Sequence, residues 1–452
     1  MTVKIEKFYQ LLNQELSSAL GDYEYKGINV VPLKIQFYLN TIINSAVFIH
    51  EIEKLTSDNA MKELVEVYYD AFFIKKSIFQ KTTLVINDIF RYTYHQFFHK
   101  SKKTKADFFI FITNKKFFSY TKLIKEALEQ KGKNVEFIIW DLNDLDNNKR
   151  ENIHLPITNF PSFWKKDYLL HYDFVTLVDR ANGFLPLLTD KKVIIIEGDV
   201  EAQHVLGKLG KINKFKTYCL QWGFLGKTVS KSGWRDIPFD KFLVWGDFFA
   251  ENFRKYNPEL QIVSCGHPIL LGSNTIEKGK VILFAVQKEF EDHISTDEVI
   301  NFIHFAAKTA AQMPDYKIII RSHPDFEIPD TIKKEYLLNK NIVWHDYKNF
   351  SLNQSFEEAK YCVSISSTVS LESIAYGCYP LYLKINDLPL QIHQLLSENS
   401  EFNHVFNFEN FVAGIHNLDT KNFKMYLANF KKILYINLGP AAVNSIVSEL
   451  NL

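Results

Sequence analysis

The stretch Asp107–Leu142, DFFIFITNKKFFSYTKLIKEALEQKGKNVEFIIWDL, decides the fold class. DFFIFIT is an apolar run of strand length, TKLIKEALEQKGK has helical spacing and stops at Gly132, and VEFIIWDL is a second apolar run. Strand, helix with a glycine stop, strand is the pattern of a βαβ unit in a parallel sheet. The theme continues through YDFVTLVD (172–179), KKVIIIEGD (191–199), FKTYCLQWG (215–223) and FDKFLVWGD (239–247), each read as a strand ending in polar or glycine residues. In open α/β sheets, ligands gather at such carboxyl ends.

A second series follows the Gly266-His267-Pro268 turn and the Gly272–Gly279 linker. KVILFAVQ (280–287), YKIIIRSHP (316–324), NIVWHD (341–346), NQSFEEAKYCVSISS (353–367, its strand at Tyr361–Ser364) and YPLYLKI (379–385) supply its strands. TDEVINFIHFAAKTAAQM (296–313) is a long helix with Thr296 as its expected cap. The expected class is α/β, with two Rossmann-like domains facing across a cleft. The expected limits are a helical extension at 1–104, the two Rossmann-like domains at 105–272 and 273–430, and a helical tail at 431–452. Within the extension, Met61–His99 has apolar residues at helical spacing and runs into Lys100, Lys102, Lys103 and Lys105. We read it as a helix packed on the next domain, and peripheral contact with an anionic inner membrane face as the alternative.

The totals narrow the function classes. At 452 residues the chain is too long for one core. A net charge of +1 gives no electrostatic footing for nucleic acid. Cys219, Cys265, Cys362 and Cys378 form no CxxC pair or metal spacing, which fits reduced thiols in the cytoplasm. The first residues lack the apolar core of a signal peptide, and no apolar run approaches the ~20 residues of a membrane span.

Two stretches of the second series carry chemistry. In VSISSTVSLESIAYGCYPL (363–381) an apolar strand gives way to Ser366, Ser367 and Thr368 at a helix start, with Glu372 one turn on. Backbone N–H groups, hydroxyls and the helix dipole would converge there on an anion; a plain helix cap is the simpler reading of the same residues. In IIIRSHPDF a strand ends at His323, and Pro324 holds that residue extended. An imidazole so placed can donate to a phosphate and stabilise a leaving group.

The His-Pro pair followed by Ser-Ser-Thr, in the second of two Rossmann-like domains, resembles the GT-B bacterial sialyltransferases and polysialyltransferases and the capsule Kdo transferases. More distantly it is similar to the CDP-glycerol glycerophosphotransferases. YCLQWGFLG and FLVWGDFFAENF extend the likeness, which covers roughly residues 170 to 385. The resemblance implies a CMP-sugar donor held by His323, Pro324, Ser366, Ser367 and Thr368, with Glu372 at the ribose. It also implies a glycan or glycolipid acceptor, inversion of configuration and no metal. The general base of such sialyltransferases lies in an acidic pair followed by glycine. The nearest match here is Glu197-Gly198-Asp199, with the glycine displaced to the middle and with Glu201 and His204 close by; an ordinary acidic turn is the competing reading. Where glycerophosphotransferases carry a histidine this chain has Trp222, which cannot take a proton.

Gln221 and Trp222, and Asp179 and Arg180 at another expected strand end, are the proposed cleft residues. Asp144-Leu145-Asp146 matches Asp-x-Asp formally but reads as a solvated turn, so neither metal nor cofactor is expected. HExxH, Walker A and GxSxG are all absent. The expected function is transfer of sialic acid, another nonulosonate or Kdo from a CMP donor in bacterial surface-polysaccharide assembly. The alternatives are a CDP-alditol phosphotransferase, a UDP-sugar 2-epimerase, and a silent glycan-binding or assembly protein. Oligomeric state is left open.

Overall fold

The computed structural model describes residues 2–73, 104–140, 153–154, 170–223, 232–273, 278–289, 293–386, 404–421 and 423–450. Lys100, Lys102, Lys103 and the Asp144-Leu145-Asp146 turn lie outside them. Among the described residues no helix is long and apolar enough to cross a membrane.

The extension begins with α1 (Thr2–Leu20), whose Ile5, Phe8, Leu12 and Leu16 form one buried stripe. A short hairpin of β1 (Glu24–Tyr25) and β2 (Ile28–Asn29) follows. Asn29 then caps α2 (Val30–Ile43), its side chain accepting from the Val31 N–H. Helices α3 (Ala46–Lys54) and α4 (Asp58–Phe72) complete the bundle. α2 is apolar on most of its circumference because it is sandwiched. Val31, Ile35, Leu39 and Ile42 join α1 in the extension's own core, whereas Leu33 and Phe37 enter the core of the next domain. Arg235 of that domain ion-pairs with Glu6 and lies between the rings of Tyr9 and Tyr256, 4.1 and 4.5 Å from their centroids. Apolar burial and a desolvated, stacked cation therefore hold the extension in place.

The first sheet is parallel, in the order β5-β4-β3-β6-β7-β8-β9. Its strands are β3 (Phe108–Ile112), β4 (Val135–Ile139), β5 (Ile153–His154), β6 (Lys192–Ile196), β7 (Lys216–Leu220), β8 (Lys241–Val244) and β9 (Gln261–Ser264). One expected strand is a helix instead: YDFVTLVD belongs to Tyr172–Asn182. Phe174, Val175, Val178 and Ala181 make its buried stripe, and β3 pairs directly with β6, leaving no slot between them.

The second sheet, also parallel, has the order β12-β11-β10-β13-β14-β15. It is built from β10 (Val281–Ala285), β11 (Lys317–Arg321), β12 (Ile342–His345), β13 (Tyr361–Ser364), β14 (Tyr379–Leu383) and β15 (Val405–Phe406). The long helix is Thr296–Gln312, and its cap is Ser295 rather than Thr296: the Ser295 hydroxyl accepts from the Glu298 N–H and the Glu298 carboxylate reaches back.

The end of the chain returns to the first domain. The Ile436 N–H donates to Trp245 O at 3.1 Å, and the His267 N–H donates to Asn437 O at 3.0 Å. Helix Gly439–Glu449 then lies on Phe118–Gln130, burying Val443, Ile446 and Val447 beside Ile124 and Leu128. The crossing depends on Gly266, which sits at φ +105°, where a Cβ would stand 2.3 Å from Asn437 O. Gly266→Ala is therefore expected to lower the stability of the whole chain by about 3 kcal/mol or more, read as a lower denaturant midpoint.

Candidate active site

The register of the second sheet places three side chains level. Ala285 pairs with Arg321 and Phe284 with Val363. Two and three residues further on, Gln287 stands between His323 and Ser366 at the carboxyl ends of three adjacent strands. The Ser366 N–H donates to Gln287 Oε1 at 2.9 Å, and Gln287 Nε2 donates to the Ser366 hydroxyl at 3.2 Å. His323 Nδ1 accepts from the Asp325 N–H at 3.0 Å, so the ring proton of the neutral imidazole sits on Nε2. Burial pushes His323 below its ordinary value, with Asp325 opposing and Lys288 assisting. Lys288 and Asp325 are themselves 3.8 Å apart, joining the loops after β10 and β11.

The three hydroxyls at 366–368 do different things. Ser367 Oγ accepts from the Val369 N–H at 3.3 Å, and Thr368 Oγ1 donates to Glu372 Oε1 at 3.2 Å. The helix that follows is one α-turn, Val369–Glu372, continuing as 3₁₀ through Tyr376 to Gly377. A turn this short sums few peptide dipoles, so the expected dipole contribution is small and the polar side chains dominate. Burial raises the Glu372 carboxyl to about 7, the Thr368 hydrogen bond opposing.

In the first domain, Glu197-Gly198-Asp199 follows β6, as expected. Glu197 and Gly198 both take left-handed backbone, at φ 85° and 103°. For glutamate this is a strained conformation that surrounding bonds must hold. The fully buried Gln203 accepts from the Gly198 N–H at 2.8 Å and donates to Ile196 O at 2.7 Å. His204 Nε2 lies 3.1 Å from Gly198 O and 2.9 Å from Gly233 O, so it carries the proton and ties the two segments. Burial lowers His204 to about 4 and its Nε2 is occupied, which makes it a brace rather than a base. Lys116 Nζ approaches Glu197 Oε1 at 3.8 Å.

No protein-family model matches the chain, and no curated protein matches it. Among solved structures it is similar to the S. aureus MnaA–UDP co-structure, with TM-score 0.50, 11% identity, and coverage of 76% of this chain and 96% of that one. It is similar also to the Neisseria meningitidis UDP-GlcNAc 2-epimerase bound to UDP-GlcNAc (TM-score 0.48, 12% identity, 76% and 98% covered). A third is the glycotransferase of kitacinnamycin (TM-score 0.49, 11% identity, 76% and 99% covered). The fold is GT-B.

Within the GT-B frame, Glu372 sits at the domain junction: its charge adds to the burial that raises the phenol of Tyr120, in the first domain, and that of Tyr435 in the return segment. Trp222 packs edge-on against Phe117 and Tyr120 there. Gln221 does not line the cleft. It is fully buried, its Oε1 accepts from the Trp245 N–H at 2.9 Å and its Nε2 donates to Gly223 O at 3.0 Å. Asp179 is likewise displaced from its expected strand end. On helix Tyr172–Asn182 it accepts from the Tyr25 hydroxyl at 2.9 Å and pairs with Lys26 at 2.6 Å, serving the joint with the extension. Arg180 stacks on Trp140, 4.2 Å from the ring centroid, beside the carboxyl end of β4. Pro324 is exposed. Gln287 escaped the sequence reading; its only signal was a polar residue closing the apolar run KVILFAVQ.

Proposed function

We propose that the chain is a glycosyltransferase of surface-polysaccharide assembly that moves an acidic sugar, sialic acid, another nonulosonate or Kdo, from its CMP-activated form to a glycan acceptor. The level row His323, Gln287, Ser366 carries the reading. It offers a fixed Nε2–H and a buttressed hydroxyl at three neighbouring strand ends, the hydrogen-bonding a phosphate requires. In this reading the acceptor hydroxyl oxygen attacks the anomeric carbon while the bond from that carbon to the phosphate oxygen breaks. The hydroxyl proton passes to Glu197 or Asp199, and the charge left on CMP is met by His323 and the 366–368 hydroxyls. Glu372, next to Thr368, accepts from the ribose.

Glu197→Gln and Asp199→Asn separate the two bases: the true one is expected to lose about a hundredfold in kcat with CMP affinity unchanged. Since Glu372 titrates near 7, nucleotide affinity is expected to fall as pH drops through 7 and its carboxylate is protonated.

The deciding experiment is calorimetric titration with CMP, CDP, UDP and GDP. Selective cytidine binding supports the reading. The rival is a UDP-dependent enzyme on the same fold, since the S. aureus structure holds UDP; preference for UDP would select it. Absence of any nucleotide binding would sink both.

A further inference from the structure

We propose that helix α2 of the N-terminal extension forms a wall of the acceptor site, and that Asn40 donates from its side-chain amide to a hydroxyl of the acceptor glycan beside Asp199. The inference rests on the glycosyl-transfer reading above and extends the site to a part of the chain outside both Rossmann-like domains.

Most of α2 is covered by apolar neighbours, but Asn40 and Asn44, one turn apart, are only half-buried. Asn40 Oδ1 accepts twice, from the Gly233 N–H at 3.2 Å and from Asn44 Nδ2 at 3.1 Å. Those donors fix the amide, because turning it over would set N–H against N–H. Its Nδ2 is left with no hydrogen-bond partner among the described residues.

That amide nitrogen borders the candidate base. A Cβ on Gly233 would stand 3.3 Å from Asn40 Nδ2, 3.3 Å from Asp199 Cβ and 3.1 Å from Asp199 O. Asn40 and Asp199 thus flank the same bare glycine, which His204 holds in place through Gly233 O. The other end of the strip reaches the second domain. Asn44 O accepts from His293 Nε2 at 2.6 Å, and His293 O accepts from Asn386 Nδ2 at 3.0 Å. A polar line therefore runs from the loop after β6, along α2, to the nucleotide-side domain.

The chemistry of the pair names the ligand class. A carboxylate accepts from an O–H, and a fixed amide N–H donates to the same or a neighbouring oxygen, which together recognise sugar hydroxyls. An anionic group there would be repelled by Asp199, so the recognised portion is a neutral sugar ring.

The test uses the full-length chain on an immobilised oligosaccharide array, screened with and without CMP, alongside CMP calorimetry. Asn40→Asp retains both accepted hydrogen bonds but replaces the Nδ2 donor with a charged acceptor beside Asp199; Asn40→Ala removes donor and acceptor without adding charge. Both variants are expected to lose about tenfold or more in oligosaccharide binding, the effect of one hydrogen bond, with CMP affinity within about twofold of the parent. Parent-like oligosaccharide binding by Asn40→Asp would overturn the proposal, and so would a parent chain that binds no oligosaccharide. Failure of CMP binding in the parent strikes the donor assignment alone, because the array without CMP reads the α2 wall by itself.

Discussion

Replacing His323 with alanine is expected to lower CMP affinity about tenfold or more and transfer about a thousandfold, with little loss of stability. The imidazole accepts a single backbone N–H through Nδ1, so its removal should cost the fold about 1 kcal/mol. The larger effect on rate follows from where charge develops. Nε2–H meets a phosphate that gains negative charge as the sugar departs, and a preorganised donor of this kind contributes about 10²–10³ to the rate. The pH dependence supplies a second readout. Burial holds His323 below its ordinary value, so it is neutral at pH 7. A phosphate favours the protonated ring, so CMP affinity should rise as pH falls below about 6.5. The Glu372 carboxyl, near 7, pulls the opposite way, and the measurement is therefore made in a Glu372→Gln background. Disappearance of the acid-side rise in the double variant would place His323 on the phosphate. Persistence of the rise, or parent-like CMP affinity in His323→Ala, would remove it from the donor site.

The strands that build this site were legible because burial on both faces makes them continuous apolar runs, and the polar residue that ends each run marks the carboxyl edge. His323 and Ser366 were found that way. YDFVTLVD failed the same test for a physical reason: an eight-residue apolar segment with two valines and a threonine suits a buried strand as well as a helix. Only its burial stripe, Phe174, Val175, Val178 and Ala181, separates the two, and that stripe exists once neighbours are in place. Asp179 was misplaced with it. Gln221 was misjudged because burial of an amide that satisfies backbone groups leaves no mark in sequence. Gln287 and Asn40 were unreadable in another sense: their roles are set by register and by docking of α2, which link residues 79 and 193 positions apart.

Acid is expected to destabilise the protein from below pH ~6.5, before most carboxylates begin to titrate, because His204, His267 and His404 are buried in neutral form. His204 and His404 are pushed down to about 4 and His267 to about 3, each mainly by burial. Burial is what resists a second proton at each ring, and the backbone carbonyl bonds of His204 and His404 only partly offset it. His204 is packed against Phe37 and Phe239, with no partner at Nδ1 among the described residues. His267 Nδ1 accepts from the Ile269 and Leu270 N–H groups at 3.3 and 3.2 Å. His404 is bonded at both nitrogens, to Pro380 O and the Tyr426 hydroxyl, and stacks on Tyr379. The folded values lie below the ~6.5 of an unfolded chain, so on acidification the unfolded state takes up protons first. The stabilisation is complete above pH ~6.5 and is lost as pH falls toward 4 for His204 and His404 and toward 3 for His267. A depression of about two units corresponds to about 3 kcal/mol per site, and three such sites rival the ~5–15 kcal/mol of a typical domain. The urea midpoint should therefore fall steadily between pH 7 and pH 5, and a flat profile would show that these rings are not held neutral. His267, held lowest, is the last of the three rings to take up its proton. It lies between Trp245 and Tyr435, where the chain returns across the domain junction, so its protonation sets a charge against the docked C-terminal helix.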